Sequence, residues 1–357
     1  MKATDMLLNI ATEENGFKLG DPWRFSEFSL AAIVPVQRDV LGQRDYRLLS
    51  EMTDQVLMRD TGNIDRVSIT NKGAYPVLVK AGEVVGGATQ ARTLVVSQVI
   101  MSGENVLADC VCVHASHGIR AGQEVKSRGY SPTRVRRTLY GGYSRGGSVN
   151  RMDRSSGGRR EESKIIGASF GYSSRLQNDV WAGVKGHSRE VADAGDSLGV
   201  YFMQAMPDVE TPTPSGSWRT AADDLAGRIN ESKEKFEAVL KKVPRLEDQV
   251  GMVLLGMGGF DSMESFEHLE SWKALVDAFL KSEAGKIGDV SDQNGVFDFK
   301  PERAREVIRE LLQASFEEMI TVNKMDTSTF LLESDKLKGE VVTLYDVPIH
   351  CTFMKKA

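Results

Sequence analysis

Six short apolar runs follow one another between residues 17 and 113: FSLAAIVPV, QVLMR, DRVSIT, YPVLVK, TLVVSQVIM and NVLADCVCVH. They are rich in Val, Ile and Leu, and turn chemistry (DTGN, NKGAYP, MSGEN) separates several of them. Helical crossovers are scarce among them, so the runs predict a mixed or antiparallel sheet rather than a doubly wound one. RDYRLLSEMTD (44–54) interrupts the series, and Tyr46, Leu49 and Met52 fall at helical spacing, which predicts a helix there.

One stretch breaks the apolar pattern. AGEVVGGATQARTLVV (81–96) sets Gly86 and Gly87, then Gln90 and Arg92, between two strand-like runs. Paired glycines suit a turn or bulge, because they reach backbone angles that other residues resist. If ATQARTL is extended, Gln90 and Arg92 share one face, and buried there they need polar partners. Glu83 is the nearby candidate, as an internal brace.

The second half reads as helical. LQNDVWAGVKGHSREV, AADDLAGRINESKEKFEAVLKKVP, SMESFEHLESWKALVDAFLKSEAG and PERAREVIRELLQASFEEM each carry apolar residues at helical spacing, and Pro301 suits a first helical position. QVGMVLLGM (249–257) reads as a buried strand, and GEVVTLYD and PIHCTFM as two final strands joined tightly.

Charge is unevenly spread. Residues 126–160 hold Lys126 and nine arginines against Asp153, a net of +9, so the remainder carries −14 within an overall −5. Glycine and serine are frequent there and periodicity is lost, which predicts a flexible loop. Arginine beside Tyr130, Tyr140 and Tyr143 suits single-stranded nucleic acid, and the same charge suits an acidic partner or a second copy of the chain. Arg136 and Arg137 in this segment join Gln90 and Arg92 as candidate binding residues.

No apolar run approaches the roughly 18 residues of a membrane helix, and the N-terminus lacks the build of a secretory signal. The expectation is a soluble cytoplasmic protein without a membrane partner. Three cysteines exclude a disulfide scaffold. Cys110, Cys112 and His114 share a strand face and are weak metal candidates, without standard zinc spacing; no metal or other cofactor is expected. LLGMGGFDSMESF approaches a dinucleotide fingerprint, but Asp261 stands where the third glycine belongs, so a strand-to-helix turn capped by Asp261 or Ser262 is expected instead.

The order of these motifs resembles the ADP-ribosylglycohydrolase and rhodanese-phosphatase-superfamily-associated protein domain, a family without a settled activity. Its central motif corresponds to Gly82, Glu83, Gly87, Ala88, Gln90 and Arg92, followed by an apolar strand. NKGAYPVL upstream, Gln177, Val180 and Trp181, DQVGMVLLGMGGFDSMESFEHLESWKALVDAF, and His350 and Phe353 near the end continue the resemblance over about residues 17–355. The family's lysine, asparagine and acid are Thr89, Ala91 and His114 here.

The expected fold class is α+β: a strand-rich, mixed or antiparallel N-terminal half and a helix-rich C-terminal half, its last strands candidates to rejoin the sheet. Residues 1–125 form the strand-rich part, 126–165 the basic loop, and 166–357 an α+β part integrated with the first as one domain. Three functions fit. The first is a non-catalytic or accessory binding protein linked to ADP-ribose or nucleic-acid modification. The second is an enzyme on a nucleotide or ADP-ribose-like substrate, with Glu83, His114 and His350 as candidate catalytic groups and Gln90 and Arg92 holding oxygens. The third is a self-assembling structural protein.

Overall fold

The computed structural model describes residues 4–25, 31–39, 42–87, 91–113, 120–140, 165–166, 176–183, 237, 240–256, 259–287, 300–324 and 326–356. In chain order the first strands are β1 (Phe17–Leu19), β2 (Ala31–Arg38), β3 (Arg47–Leu48), β4 (Val56–Asp60), β5 (Arg66–Asn71), β6 (Val77–Val79), β7 (Glu83–Gly87), β8 (Arg92–Leu94) and β9 (Gln98–Ile100). There follow β10 (Asn105–Cys112), β11 (Glu124–Tyr130), β12 (Ile165–Ile166), β13 (Gln249–Gly256), β14 (Gly259–Phe266), β15 (Glu317–Lys324), β16 (Thr327–Glu333), β17 (Leu337–Leu344) and β18 (Val347–Lys355). Among the described residues the helices are α1 (Asp5–Thr12), α2 (Thr133–Leu139), α3 (176–183), α4 (Leu269–Ile287) and α5 (Pro301–Leu312), and residues 237 and 240–242 are also helical.

Three sheets use these strands. The largest is antiparallel, in the order β1-β2-β13-β14-β18-β17-β16-β15-β12. A closed antiparallel barrel runs β10-β5-β4-β11-β7-β8, and closure leaves it without an open edge. A small sheet, β3-β6-β9, takes strands that alternate with barrel strands along the chain and has one parallel pair.

Side-chain alternation gives the large sheet two working faces. One carries Val34, Val253, Met263, Val341 and Phe353, covered by Leu7 and Ile10 of α1 and Ile308 of α5. The other carries Ile33, Met252, Leu254, Phe266 and Val342, packed against Trp272, Leu275, Val276 and Phe279 of α4. Leu139 of α2 and Val180 of α3 join barrel residues such as Val84 and Val111 to Leu331 and Met354 of the sheet.

The structure overturns the expected fold class. Among the described residues, the C-terminal half is dominated by strands, from β13 to β18. SMESF was read into a helix because Phe266, Leu269 and Trp272 keep a helical spacing; it belongs to β14, and α4 starts only at Leu269. FEEM, read as a helix end, opens β15. β13 and β14 pair antiparallel, with Gly256 opposite Gly259, so a strand rather than a helix follows LLGMGGF. Residues 44–54 yield only β3 and a 3-10 turn at Leu49–Glu51. The basic segment begins as β11 and α2; its residues 141–164, most of AADDLAGRINESKEKFEAVLKKVP, and Gln90 and His114 lie outside the described residues.

The β17–β18 hairpin turns on Tyr345 and Asp346, with φ of 51° and 60°. Two successive positive φ values match a tight turn that follows the twist of the strands.

Arg92 is fully buried in the barrel, and its partner is Asp60 of β4 rather than Glu83. Its Nη1 donates to the carbonyls of Asn63 and Arg66 at 3.2 and 3.1 Å, and Nη2 lies 3.1 Å from Asp60 Oδ2 at an angle too oblique for a hydrogen bond. Removing one member of a buried ion pair leaves the other charge uncompensated. Arg92→Met is therefore expected to lower stability by about 3–5 kcal/mol in urea unfolding; a loss too small to measure would contradict the brace.

Candidate functional site: a buried charge cluster beneath a cavity

The sheet face toward the barrel carries a row of polar side chains. Cross-strand register sets Glu264 of β14 opposite Thr352 of β18, and Thr352 opposite Glu340 of β17. One step along, Phe266 stands opposite His350. Glu264, Glu340 and His350 are fully buried, so each needs a polar partner.

Lys80 supplies the first. It follows β6 directly, is 1% exposed, and its ammonium reaches three groups. Nζ donates to Tyr130 Oη at 2.9 Å and to Glu264 Oε1, and lies 3.2 Å from His350 Nε2. His350 Nε2 is in turn 2.5 Å from the same Glu264 oxygen. Arg136 of α2 takes the other oxygen: Nη1 donates to Glu264 Oε2 at 3.1 Å and to Thr352 Oγ1 at 3.3 Å. Its Nη2 donates to Thr133 Oγ1 at 3.0 Å and lies 3.4 Å from Glu283 of α4. The guanidinium also stacks over Tyr130, 4.7 Å from the ring centroid.

Gly82 makes room for this arginine. Its φ is +88°, and a Cβ there would come within 2.5 Å of Arg136 Cδ. Here the AGE of the central motif has a physical role: glycine lets the Arg136 side chain pass against the backbone.

Two further carboxyls flank the cluster, each held by a serine. Ser97 donates to Glu340 through its hydroxyl and, at 3.2 Å, through its backbone N–H. The hydroxyl of Ser127 donates to Glu83. Burial pushes both carboxyls up to about 7, although the serine bonds and the charge of Lys80 oppose the shift. Burial would also raise Glu264, but Lys80, His350 and Arg136 hold it well below the usual carboxylate range. His350 is pushed down to about 4, first by burial and then by the charge of Lys80. Lys80 is lowered as well, because burial outweighs the pull of Glu264.

A cavity of about 160 Å³ reaches this cluster. Among its lining residues Ser50 is exposed, Leu48, Leu275 and Ala278 are apolar, and Lys80, Glu83, Ser127 and Tyr130 supply polar groups. Lys80 and Tyr130 are buried, at 1% and 5% exposure, as are Leu48, Leu49 and Leu78 beside them.

Of the residues singled out in the sequence, Glu83, His350 and Arg136 meet around Lys80. Arg92 lies apart in the barrel, and Arg137 pairs with Asp261 at 2.9 Å, partly exposed. Cys110 and Cys112 are buried thiols of β10. Among the described residues, no three His, Cys, Asp or Glu side chains are grouped to hold a metal ion. No described helix is long and apolar enough to cross a membrane. Sequence reasoning missed Lys80, Glu264, Glu283 and Glu340. The signal for Lys80, Glu264 and Glu340 was a lone charge within or at the end of an apolar strand run, PVLVK, SMESF and GEVVTL; Glu283 lies in the helix α4.

A closed barrel docked on a nine-stranded sheet through buried charges defines the class of this molecule. The chain belongs to the ARG and Rhodanese-Phosphatase-superfamily-associated Protein domain family, whose model matches residues 16–354. No curated protein and no solved structure shows significant similarity to it.

The raised carboxyls give a pH test. A carboxyl with a folded pKa of about 7 stabilises the fold fully at low pH, and that contribution is lost as pH rises through about 7. Glu340→Gln removes the dependence. The variant is expected to gain roughly 1–3 kcal/mol relative to the native protein between about pH 5 and 8, read by urea unfolding at both pH values. A pH-independent difference would place Glu340 in the ordinary carboxylate range.

Proposed function

We propose that the chain is an accessory binding protein, linked to ADP-ribose or nucleic-acid modification, that holds a sugar-sized part of its ligand in the Lys80 cavity. The cavity carries the reading: apolar walls lead to a few convergent polar groups, the usual build of a small-molecule site. At about 160 Å³ it is roughly half the size of the smallest drug-sized pockets, about 300 Å³. A whole nucleotide is too large for it, whereas one pentose-sized group enters. Glu83 and Ser127 offer hydroxyl-binding partners, and Lys80 offers positive charge. The family's printed description, which associates it with ARG and with the rhodanese-phosphatase superfamily, supports a role beside modification chemistry. That support is by association, because a fold or family does not by itself carry an activity.

A second reading is favoured by Glu83. A cavity-lining carboxyl pushed up to about 7 is suited to general acid–base work, as in an enzyme on an ADP-ribose-like substrate.

Calorimetry with ADP-ribose and ribose 5-phosphate tests binding. Ala278 lies half-buried in the cavity wall, so Ala278→Trp fills the space from the surface of α4. The expected result is binding to the native protein that weakens at least tenfold in the variant, with thermal stability kept. Equal binding by both proteins, or by neither, would remove the cavity from the function. Release of ribose or nucleotide products during the titration would favour the enzyme reading.

A further inference from the structure

The side chains that line the cavity differ in what their polar atoms already do. Lys80 is 1% exposed and donates to Tyr130 and Glu264, so its charge is countered inside the cluster. Tyr130 accepts that bond and donates to Glu264 Oε2 at 3.2 Å. A phenol has a single proton to give, and an enclosed ammonium reaches a ligand only by leaving its carboxylate. Both groups are therefore committed to the cluster.

Glu83 is not. It is 8% exposed, the Ser127 hydroxyl bonds one of its oxygens, and its other oxygen, Oε2, has no hydrogen-bond partner among the described residues. That oxygen is also not sealed in the interior, and Glu83 lines the cavity. A β-bulge between Ser127 and Gly129 leaves space beside the pair: Gly129 has a φ of 137°, and nothing lies within 4 Å of where its Cβ would stand. Burial without a cation bonded to it pushes Glu83 up to about 7. The side chains thus offer a ligand two acceptors, Glu83 Oε2 and the lone pairs of Ser127 Oγ, among apolar neighbours. Such a set bonds hydroxyl donors. It disfavours an anion, which would bring a second negative charge into an apolar space.

We propose that the cavity admits the uncharged, hydroxyl-bearing end of a sugar ligand and keeps its phosphate outside, with Glu83 as the specificity-determining acceptor and Ser127 orienting it. The inference rests on the cavity being a ligand site and states which end of the ligand enters. Among the lining residues the other charge is Lys80, which follows β6; β11 adds Ser127 and Tyr130, and β3, α4 and the 3-10 turn add no charged side chain. Ionisation of Glu83 therefore sets what the cavity offers, because a hydroxyl bonds a carboxylate more strongly than a carboxylic acid.

Calorimetry on the native protein with ribose, ribose 5-phosphate and inorganic phosphate tests this, at about pH 6 and about pH 8. Ribose is expected to bind and to tighten by about tenfold at the higher pH, as the ionised fraction of Glu83 rises from roughly one-tenth to nine-tenths. Ribose 5-phosphate is expected to bind no more weakly than ribose, and inorganic phosphate not to displace either. Glu83→Gln is expected to flatten the pH profile and weaken ribose at least tenfold at the higher pH, whereas Glu340→Gln, outside the cavity lining, leaves both unchanged. Displacement of ribose by inorganic phosphate, or ribose binding that is insensitive to both pH and Glu83→Gln, would overturn the proposal. If either result comes with sugar binding that Ala278→Trp still weakens, the cavity reading stands and this inference alone falls. Absence of binding by any of the sugars sinks both.

Discussion

A carboxylate in the middle of a nine-stranded sheet must be neutralised or paired, and Glu264 is paired from four directions. Lys80 arrives from the end of β6, Tyr130 from the end of β11, Arg136 from α2 and His350 from the neighbouring strand. Each partner belongs to a different element, so satisfying this one side chain fixes how the barrel, α2 and the sheet sit together. Apolar packing of α4 and α2 supplies bulk attraction at the same junction, but it is non-directional. The charges set the register. Losing Glu264 would leave Lys80 without its buried counter-charge and Arg136 with Glu283 alone, and leaving a buried charge uncompensated is strongly destabilising.

The same junction holds carboxyls in different states. Glu264, facing cations, stays ionised. Glu83 and Glu340 have serine hydroxyls as their hydrogen-bonded partners and sit near neutrality in pKa. Environments that push like groups apart in pKa are how one site keeps both a permanent anion and a titratable acid. The cavity opens on Lys80 and Glu83, one group from each side of that division.

Local patterns in the sequence read well where the signal was local. AAIVPV, DRVSIT and VLADCVC are strands, and Pro301 opens α5. Reading failed where polar residues sit in buried strands. The helical spacing of Phe266, Leu269 and Trp272 draws SMESF into a helix, and FEEM sits at the end of another apparent helix, so the C-terminal half reads as helical. Tertiary pairing decides those segments, and no periodicity reports it. The site was legible only in part for the same reason. The motif around Gly82 and Glu83 drew attention to the right loop, but it pointed Arg92 at Glu83. The actual partners, Asp60 for Arg92 and Glu264 for Lys80, come from strand pairings and barrel closure. Lys80 lies 184 residues from Glu264 in the chain, and only the register of β14 with β18 brings His350 beside both.

The central claim is that burial and Glu264 together place Lys80 in a proton-sharing cluster rather than in a plain surface-like ion pair. The most direct measurement is the side-chain ¹³Cε NMR titration of Lys80, assigned with Lys80→Arg. Burial as the dominant influence predicts a midpoint below the ordinary lysine value, with a matching change in the His350 ring signals. A midpoint at about 10.4, the value of an unperturbed lysine, with His350 silent through the transition, would contradict it.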